Sequence, residues 1–220
     1  MKFLNVRFIK IWVKYFFSKY SRYKHLYWII VKLKPKTIME IGVYKAVRAN
    51  EMIHLAKKFH DKITYYGFDL FERIGKKKID LELSKNPLSK NILKKKIIAN
   101  HKSSKINLIQ GDTLRTLKKF VKSKKKIDLI FVDGGHSVKT IQSDWDNIKK
   151  IMSKKTVVIF DDYYHDNFIT KKFGCNKIIH NLKEKYRYEI LQSTDYIEFE
   201  KRRIKNSLVR VTLKSNHLFK

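Results

Sequence analysis

A chain of 220 residues, 43% hydrophobic and 13% aromatic, is long and apolar enough for one packed domain, which excludes a disordered basic tail. The formal net charge is +31, but Lys supplies most of it and Arg, the better residue for bidentate phosphate and base contacts, is scarce, so the charge alone does not establish a nucleic-acid partner. The single cysteine, Cys175, excludes an internal disulfide and a cysteine-based zinc site, and fits a reducing, cytoplasmic compartment.

Residues 1–34 come first. Lys2, Arg7, Lys10, Lys14 and Lys19 interrupt every apolar run there, which excludes a secretory signal and a membrane span. At helical spacing Arg7, Lys10 and Lys14 share one side, while Phe8, Ile9, Trp12, Val13, Phe16 and Phe17 cover much of the rest. The expectation is a basic amphipathic helical segment. It has two readings: peripheral contact with an anionic membrane surface, or packing on the catalytic domain or on a second copy of the chain.

After Pro35, which opens a domain expected over 35–220, short apolar runs alternate with helical segments. Thr37–Ile41 leads to Gly42, and Ala46–Phe59 follows as a helix. Ile63–Phe68 ends in Asp69, and the lysine-rich stretch Lys76–Lys105 reads as helices with a solvated face. Ile106–Ile109 ends at Gly111-Asp112 and is followed by helix Leu114–Val121. Ile127–Val132 ends at Asp133 and is followed by helix Val138–Met152. Thr156–Phe160 ends at Asp161-Asp162. Lys177–Lys185 reads as helix, and Tyr186–Gln192, Tyr196–Glu200 and Leu208–Leu213 as closing strands. Continuous apolar strands separated by helices predict an α/β, Rossmann-like, doubly wound and mostly parallel sheet covered on both faces.

Most of these strands end in an acid or a glycine–acid pair, and ligands of such sheets bind beyond the carboxyl ends of the strands. Glu40, Asp69, Asp112, Asp133, Asp161 and Asp162 therefore converge on one edge. Around the first strand, Gly42 permits a sharp turn and close approach of the backbone to a ligand, but the Gly-x-Gly-x-x-Gly needed for a pyrophosphate is missing. This disfavours a nicotinamide oxidoreductase. Asp69 can accept hydrogen bonds from both hydroxyls of a ribose. Asp112 divides between helix cap and ligand contact. Asp133, Asp161 and Asp162 offer three hard oxygens suited to Mg²⁺, Mn²⁺ or Ca²⁺; without a cation they would repel and at least one would tend to protonate.

Glu40-Ile41-Gly42-Val43-Tyr44-Lys45-Ala46 resembles the first motif of class I S-adenosylmethionine-dependent methyltransferases, with Ala46 in place of its last glycine. Asp133-Gly134-Gly135-His136-Ser137 and Asp161-Asp162-Tyr163 together resemble the D-G-x-H-S and D-D-Y motifs of the macrocin and sugar O-methyltransferase-like family. The resemblance covers residues 36–165. It implies a seven-stranded class I methyltransferase fold with an antiparallel edge hairpin. It also implies S-adenosylmethionine held by Glu40, Gly42, Val43, Tyr44, Asp69, Leu70, Phe71, Asp112, Thr113, Asp133, Gly134 and His136. A divalent ion on Asp133, Asp161 and Asp162 would lower the acceptor hydroxyl's pKa. His136 is the candidate general base, with a cofactor contact or a helix cap as its other readings, and His165 is a weaker candidate. Some relatives carry an acid as base where this chain has Gly135.

The expected function is thus metal-assisted O-methylation of a small-molecule or sugar hydroxyl. The alternative is an RNA ribose or base methyltransferase that uses the basic surface. With only Pro35 and Pro87 in the chain, the N/D-P-P-Y/F stretch of many amino-methylating enzymes is impossible.

Overall fold

The computed structural model describes residues 21–82 and 86–219. The expected amphipathic helix through Phe8, Trp12 and Phe17 lies outside the described residues. The end of the same segment is helix α1 (Tyr23–Leu33), whose Tyr23, Leu26, Tyr27, Ile29 and Ile30 are buried along one face. The helix stops at Lys34, left-handed at φ 51°, whose amide donates back to the Ile30 carbonyl, and Pro35 follows. Its N-terminus has no cap of its own; the Asp195 carboxylate accepts from the amides of Ser21 at 2.7 Å and Arg22 at 3.1 Å instead.

The remaining elements are β1 (Thr37–Ile41), α2 (Val47–Ala56), β2 (Thr64–Asp69), α3 (Lys76–Leu81), α4 (Lys90–Asn100), β3 (Lys105–Gln110), α5 (Thr113–Val121), β4 (Leu129–Val132), α6 (Val138–Ile148), β5 (Val157–Tyr164), α7 (Asn176–His180), β6 (Tyr186–Phe199) and β7 (Arg202–Leu213). Among the described residues seven strands form one sheet in the order β3-β2-β1-β4-β5-β7-β6, parallel from β3 to β5, with β7 antiparallel to both neighbours. Alternation along the strands divides the core. Ile38, Tyr65, Leu129, Phe131, Val157 and Ile159 pack toward α1, α2 and α4. Their neighbours Met39, Tyr66, Ile130, Val132, Val158 and Phe160 pack toward α5, α6 and α7. The sheet is therefore doubly wound, as expected.

Several boundaries differ from expectation. The two strands read at Tyr186–Gln192 and Tyr196–Glu200 are one strand, β6, with an irregularity between Leu191 and Asp195. β7 begins at Arg202 instead of Leu208, and the helix read over Lys177–Lys185 is only Asn176–His180. A two-residue turn of Glu200 (φ 46°) and Lys201 (φ 62°) joins β6 to β7; paired positive φ angles match the twist of a tight hairpin. β5 runs on to Tyr164, so Asp161 and Asp162 lie inside the strand, where the pairing with β7 shifts between Phe160 and Tyr163. Acids read as a strand terminus here mark a bulge.

Candidate active site

At the carboxyl edge of the sheet lies a cavity of about 630 Å³, within the range of small-molecule sites. Its first wall is the β1–α2 loop. Gly42 sits at φ 91°, and a Cβ there would lie 1.9 Å from the Asp133 carbonyl oxygen. The close approach that demands glycine is therefore to the chain's own β4 tip, where the Asp133 amide donates to the Ile41 carbonyl at 2.8 Å. The loop continues through left-handed Tyr44 and Ala46, at φ 49° and 59°. Asp69 holds this loop in place. Its Oδ2 accepts from the amides of Val43 and Tyr44, both at 2.8 Å, and its Oδ1 accepts from Phe71 at 2.8 Å.

Glu40 is buried within β1 and lines the cavity. Tyr65 donates to its Oε2, while its Oε1 accepts nothing among the described residues. Burial pushes Glu40 up to about 8, with the Tyr65 hydrogen bond opposing. Asp112 caps α5 through the Leu114 amide at 3.0 Å and also pairs with Lys78 at 3.2 Å. Of the residues expected to hold cofactor, Glu40, Gly42, Val43, Tyr44, Asp69, Leu70, Asp112, Thr113, Asp133, Gly134 and His136 line the cavity. Phe71 is fully buried in the core instead.

The acid cluster occupies the other end. The β5 bulge places Asp162 at φ 62° and turns it toward His136 and Asn206. The Nδ1 of His136 pairs with Asp162 Oδ2, and Asn206 donates to Oδ1 at 3.1 Å. Burial works against charge on His136, but Asp162 prevails and raises it; burial likewise works against Asp162, and His136 holds it low. Asp133 is driven well up, by burial first and then by Asp161 and Asp162.

Asp161 faces α1, outside the cavity lining, against Arg22 and Tyr23. Arg22 stays firmly protonated, since Asp161 outweighs the burial that opposes its charge. The Tyr23 ring lies between two guanidinium groups, 4.5 Å from Arg22 Cζ and 4.0 Å from Arg48 Cζ. Asp133, Asp161 and Asp162 are thus brought together, but no group of three or more such side chains among the described residues could hold a metal ion. The donors do not fit a divalent cation, because the carboxylates on β5 are already engaged.

Arg22, Tyr23 and Glu82 are not among the site residues that the motifs point to. Glu82, just beyond α3, was read as part of a solvated face but is buried beside Gly135. It accepts from the Ser137 amide at 2.8 Å and the Thr140 hydroxyl at 2.6 Å at the start of α6. A Cβ on Gly135 would come within 2.7 Å of Thr140 Cγ2 and 2.8 Å of Glu82 Oε2, so an acid at this position, as in some relatives, would require the Glu82 carboxylate to shift. An acid in a lysine-rich insert, and an arginine among lysines, are the signals available for Glu82 and Arg22. His165 is held by Ser207 at 3.0 Å, away from the cavity lining.

Residues 39–163, more than half of the chain, match a family described as a methyltransferase domain. No curated protein matches. The fold is similar to that of an O-methyltransferase from Bacillus cereus in complex with SAH (TM-score 0.57, 12% identity, 86% of this chain and 79% of that one). It is also similar to that of the O-methyltransferase TomG from Streptomyces achromogenes in complex with SAM (TM-score 0.55, 12% identity, 86% and 78%). The calicheamicin methyltransferase CalS11 aligns with a TM-score of 0.49 at 16% identity, over 72% of this chain and 66% of its own length. No helix among the described residues is long and apolar enough to cross a membrane.

Proposed function

The chain belongs to this family of methyltransferase domains and is an S-adenosylmethionine-dependent methyltransferase by family and fold, and on that premise we propose that it methylates a hydroxyl of a small molecule or sugar. The observation that carries the proposal is the His136–Asp162 pair at the rim of the cofactor cavity. With Nδ1 committed to Asp162, Nε2 is the ring nitrogen left for an acceptor hydroxyl; because Asp162 raises His136 to about 9, only its deprotonated form takes the proton that O-methylation releases, and turnover should climb as pH rises toward 9.

When bound, S-adenosylmethionine supplies a methyl group activated by its sulfonium. The cavity residues fit that ligand: Glu40 Oε1, buried and without a hydrogen-bond donor among the described residues, suits its ammonium group, and Asp69 and Asp112 suit its ribose and adenine. The chain's own part is to fix the acceptor oxygen in line and to hold its proton on His136. In this reading residues 35–220 form the catalytic domain, and Arg22 and Tyr23 of the preceding segment roof its acceptor end.

Calorimetry with S-adenosylmethionine and S-adenosylhomocysteine is the first test, and absence of binding to both overturns the assignment. His136→Gln should lower kcat by roughly 10²–10⁴-fold with cofactor affinity nearly unchanged; retained turnover would remove the base. The alternative, an RNA methyltransferase, draws on the charge of +31. A salt-dependent RNA gel shift tests it.

A further inference from the structure

The three acids at the tips of β4 and β5 form the kind of cluster that a hard divalent ion occupies, and such an ion needs open oxygens. A carboxylate offers about four acceptor positions, and on Asp161 all are filled. Oδ1 accepts from Arg22 Nε at 2.9 Å and from the Asp162 amide at 2.8 Å. Oδ2 accepts from Arg22 Nη2 at 3.2 Å and from the Tyr23 hydroxyl at 2.9 Å. Asp162 has one oxygen on His136 and the other on Asn206.

The cation in this cluster is fixed as well as present. The Arg22 and Asp161 side chains are 11% and 1% exposed, so the pair is desolvated. The other arm of the guanidinium, Nη1, bonds Asp195 at 3.1 Å, the same carboxylate that caps α1. A side chain anchored at both ends, at the start of a packed helix, cannot swing aside without uncovering two buried acids.

Resting on the methyltransferase reading, we propose that Arg22 takes the place of a metal ion: its guanidinium is the permanent cation of the Asp133–Asp161–Asp162 cluster, and the enzyme needs no divalent cation to receive its acceptor. Arg22 is a positioning residue that sets Asp161 and supplies positive charge at the acceptor end of the cavity. It lies outside the matched residues 39–163, so metal independence is a property of the N-terminal segment.

The test uses the full chain after EDTA dialysis, with Mn²⁺ uptake followed by electron paramagnetic resonance. Wild-type protein should immobilise no Mn²⁺ at millimolar free metal. Arg22→Met, which opens one acceptor position on each Asp161 oxygen, should take up one ion per chain, and Arg22→Met/Asp161→Asn should lose it. A purely structural role for Arg22 would not produce that gain. Stoichiometric Mn²⁺ on the wild type that disappears in Asp161→Asn overturns the proposal. So does a folded Arg22→Met, its S-adenosylhomocysteine affinity within a few-fold of wild type, that takes up none. If Arg22→Met fails to fold, Arg22→Ala/Tyr23→Phe and the wild-type measurement decide. Calorimetry on the same wild-type sample separates the two readings, since lack of S-adenosylhomocysteine binding strikes the methyltransferase assignment and leaves the metal result standing.

Discussion

The two halves of the sheet's carboxyl edge are built on different chemistry. On the β1–β2 side a carboxylate, Asp69, gathers three neutral backbone amides from residues 43, 44 and 71. On the β4–β5 side the carboxylates are matched by charged side chains, Arg22 and His136, in a buried setting. Neutral amide bonds can exchange for bonds to an incoming ligand at small net cost, about 1 kcal/mol each. A desolvated ion pair with one partner removed costs several times that. The β1–β2 half is therefore able to adjust, while the β4–β5 half is preset; in the proposed function the first would hold the cofactor and the second the acceptor, where fixed charges act on a developing transition state.

The sharpest way to break this contrast is at the seam between the halves. Gly42→Ala would place a methyl group 1.9 Å from the Asp133 carbonyl at a backbone angle of 91°. It strains both halves together, and we expect a loss of at least about 4 kcal/mol in denaturant unfolding, with no measurable cofactor binding. A near-native midpoint would mean the seam is soft.

Next in size is Asp161→Asn. It leaves Arg22 buried without its main counter-charge, and about 3–5 kcal/mol of stability should be lost. Asp69→Asn, by contrast, keeps one acceptor oxygen for the loop amides and should cost about 1–2 kcal/mol. Equal losses in the two variants, measured by urea unfolding, would erase the distinction between the halves.

A smaller effect separates the halves by pH. Burial raises Glu40 from 4.5 in the unfolded chain to about 8 in the fold. The folded state thus binds the extra proton between those values, and stability from this group is present below 4.5 and lost as pH rises toward 8. Glu40→Gln should flatten that decline, so that variant and wild type diverge most on the alkaline side. Parallel stability-versus-pH curves for the two proteins would show that Glu40 is not the source.

How much of this was legible from the chain follows the same division. The wound, mostly parallel sheet and the acids at its edge follow from local patterns: apolar runs, helical spacing and a glycine after a strand. Asp69 and its loop amides are about 25 residues apart, within one β-α-β unit. Arg22 and Asp161 are 139 residues apart, and no local rule links a helix start to the middle of β5. The β5 bulge was equally hidden, because Asp161-Asp162 reads as a strand end until β7 is seen to pair beyond it. The carboxylates were visible, but not the partners that decide what they do.

The smallest expected effect concerns a departure that was visible in the sequence. Ala46 stands where the first methyltransferase motif has its last glycine, and it is held left-handed at φ 59°, fully buried, at the start of α2. An L-residue there costs roughly 1–2 kcal/mol, partly offset because glycine would lose more backbone entropy on folding. Ala46→Gly should therefore stabilise by at most about 1 kcal/mol. Its methyl group, however, is packed in the core with Val43 and Ala49, and deleting a buried methyl costs about the same. If the thermal midpoint rises, backbone strain dominates and the cofactor loop is held against its own preference by Asp69. If it falls, packing dominates and the alanine is an adapted replacement. In either case Asp161 and Arg22 should be unaffected, so Mn²⁺ uptake by Ala46→Gly should match wild type; a change there would mean the halves are coupled through the Gly42–Asp133 contact.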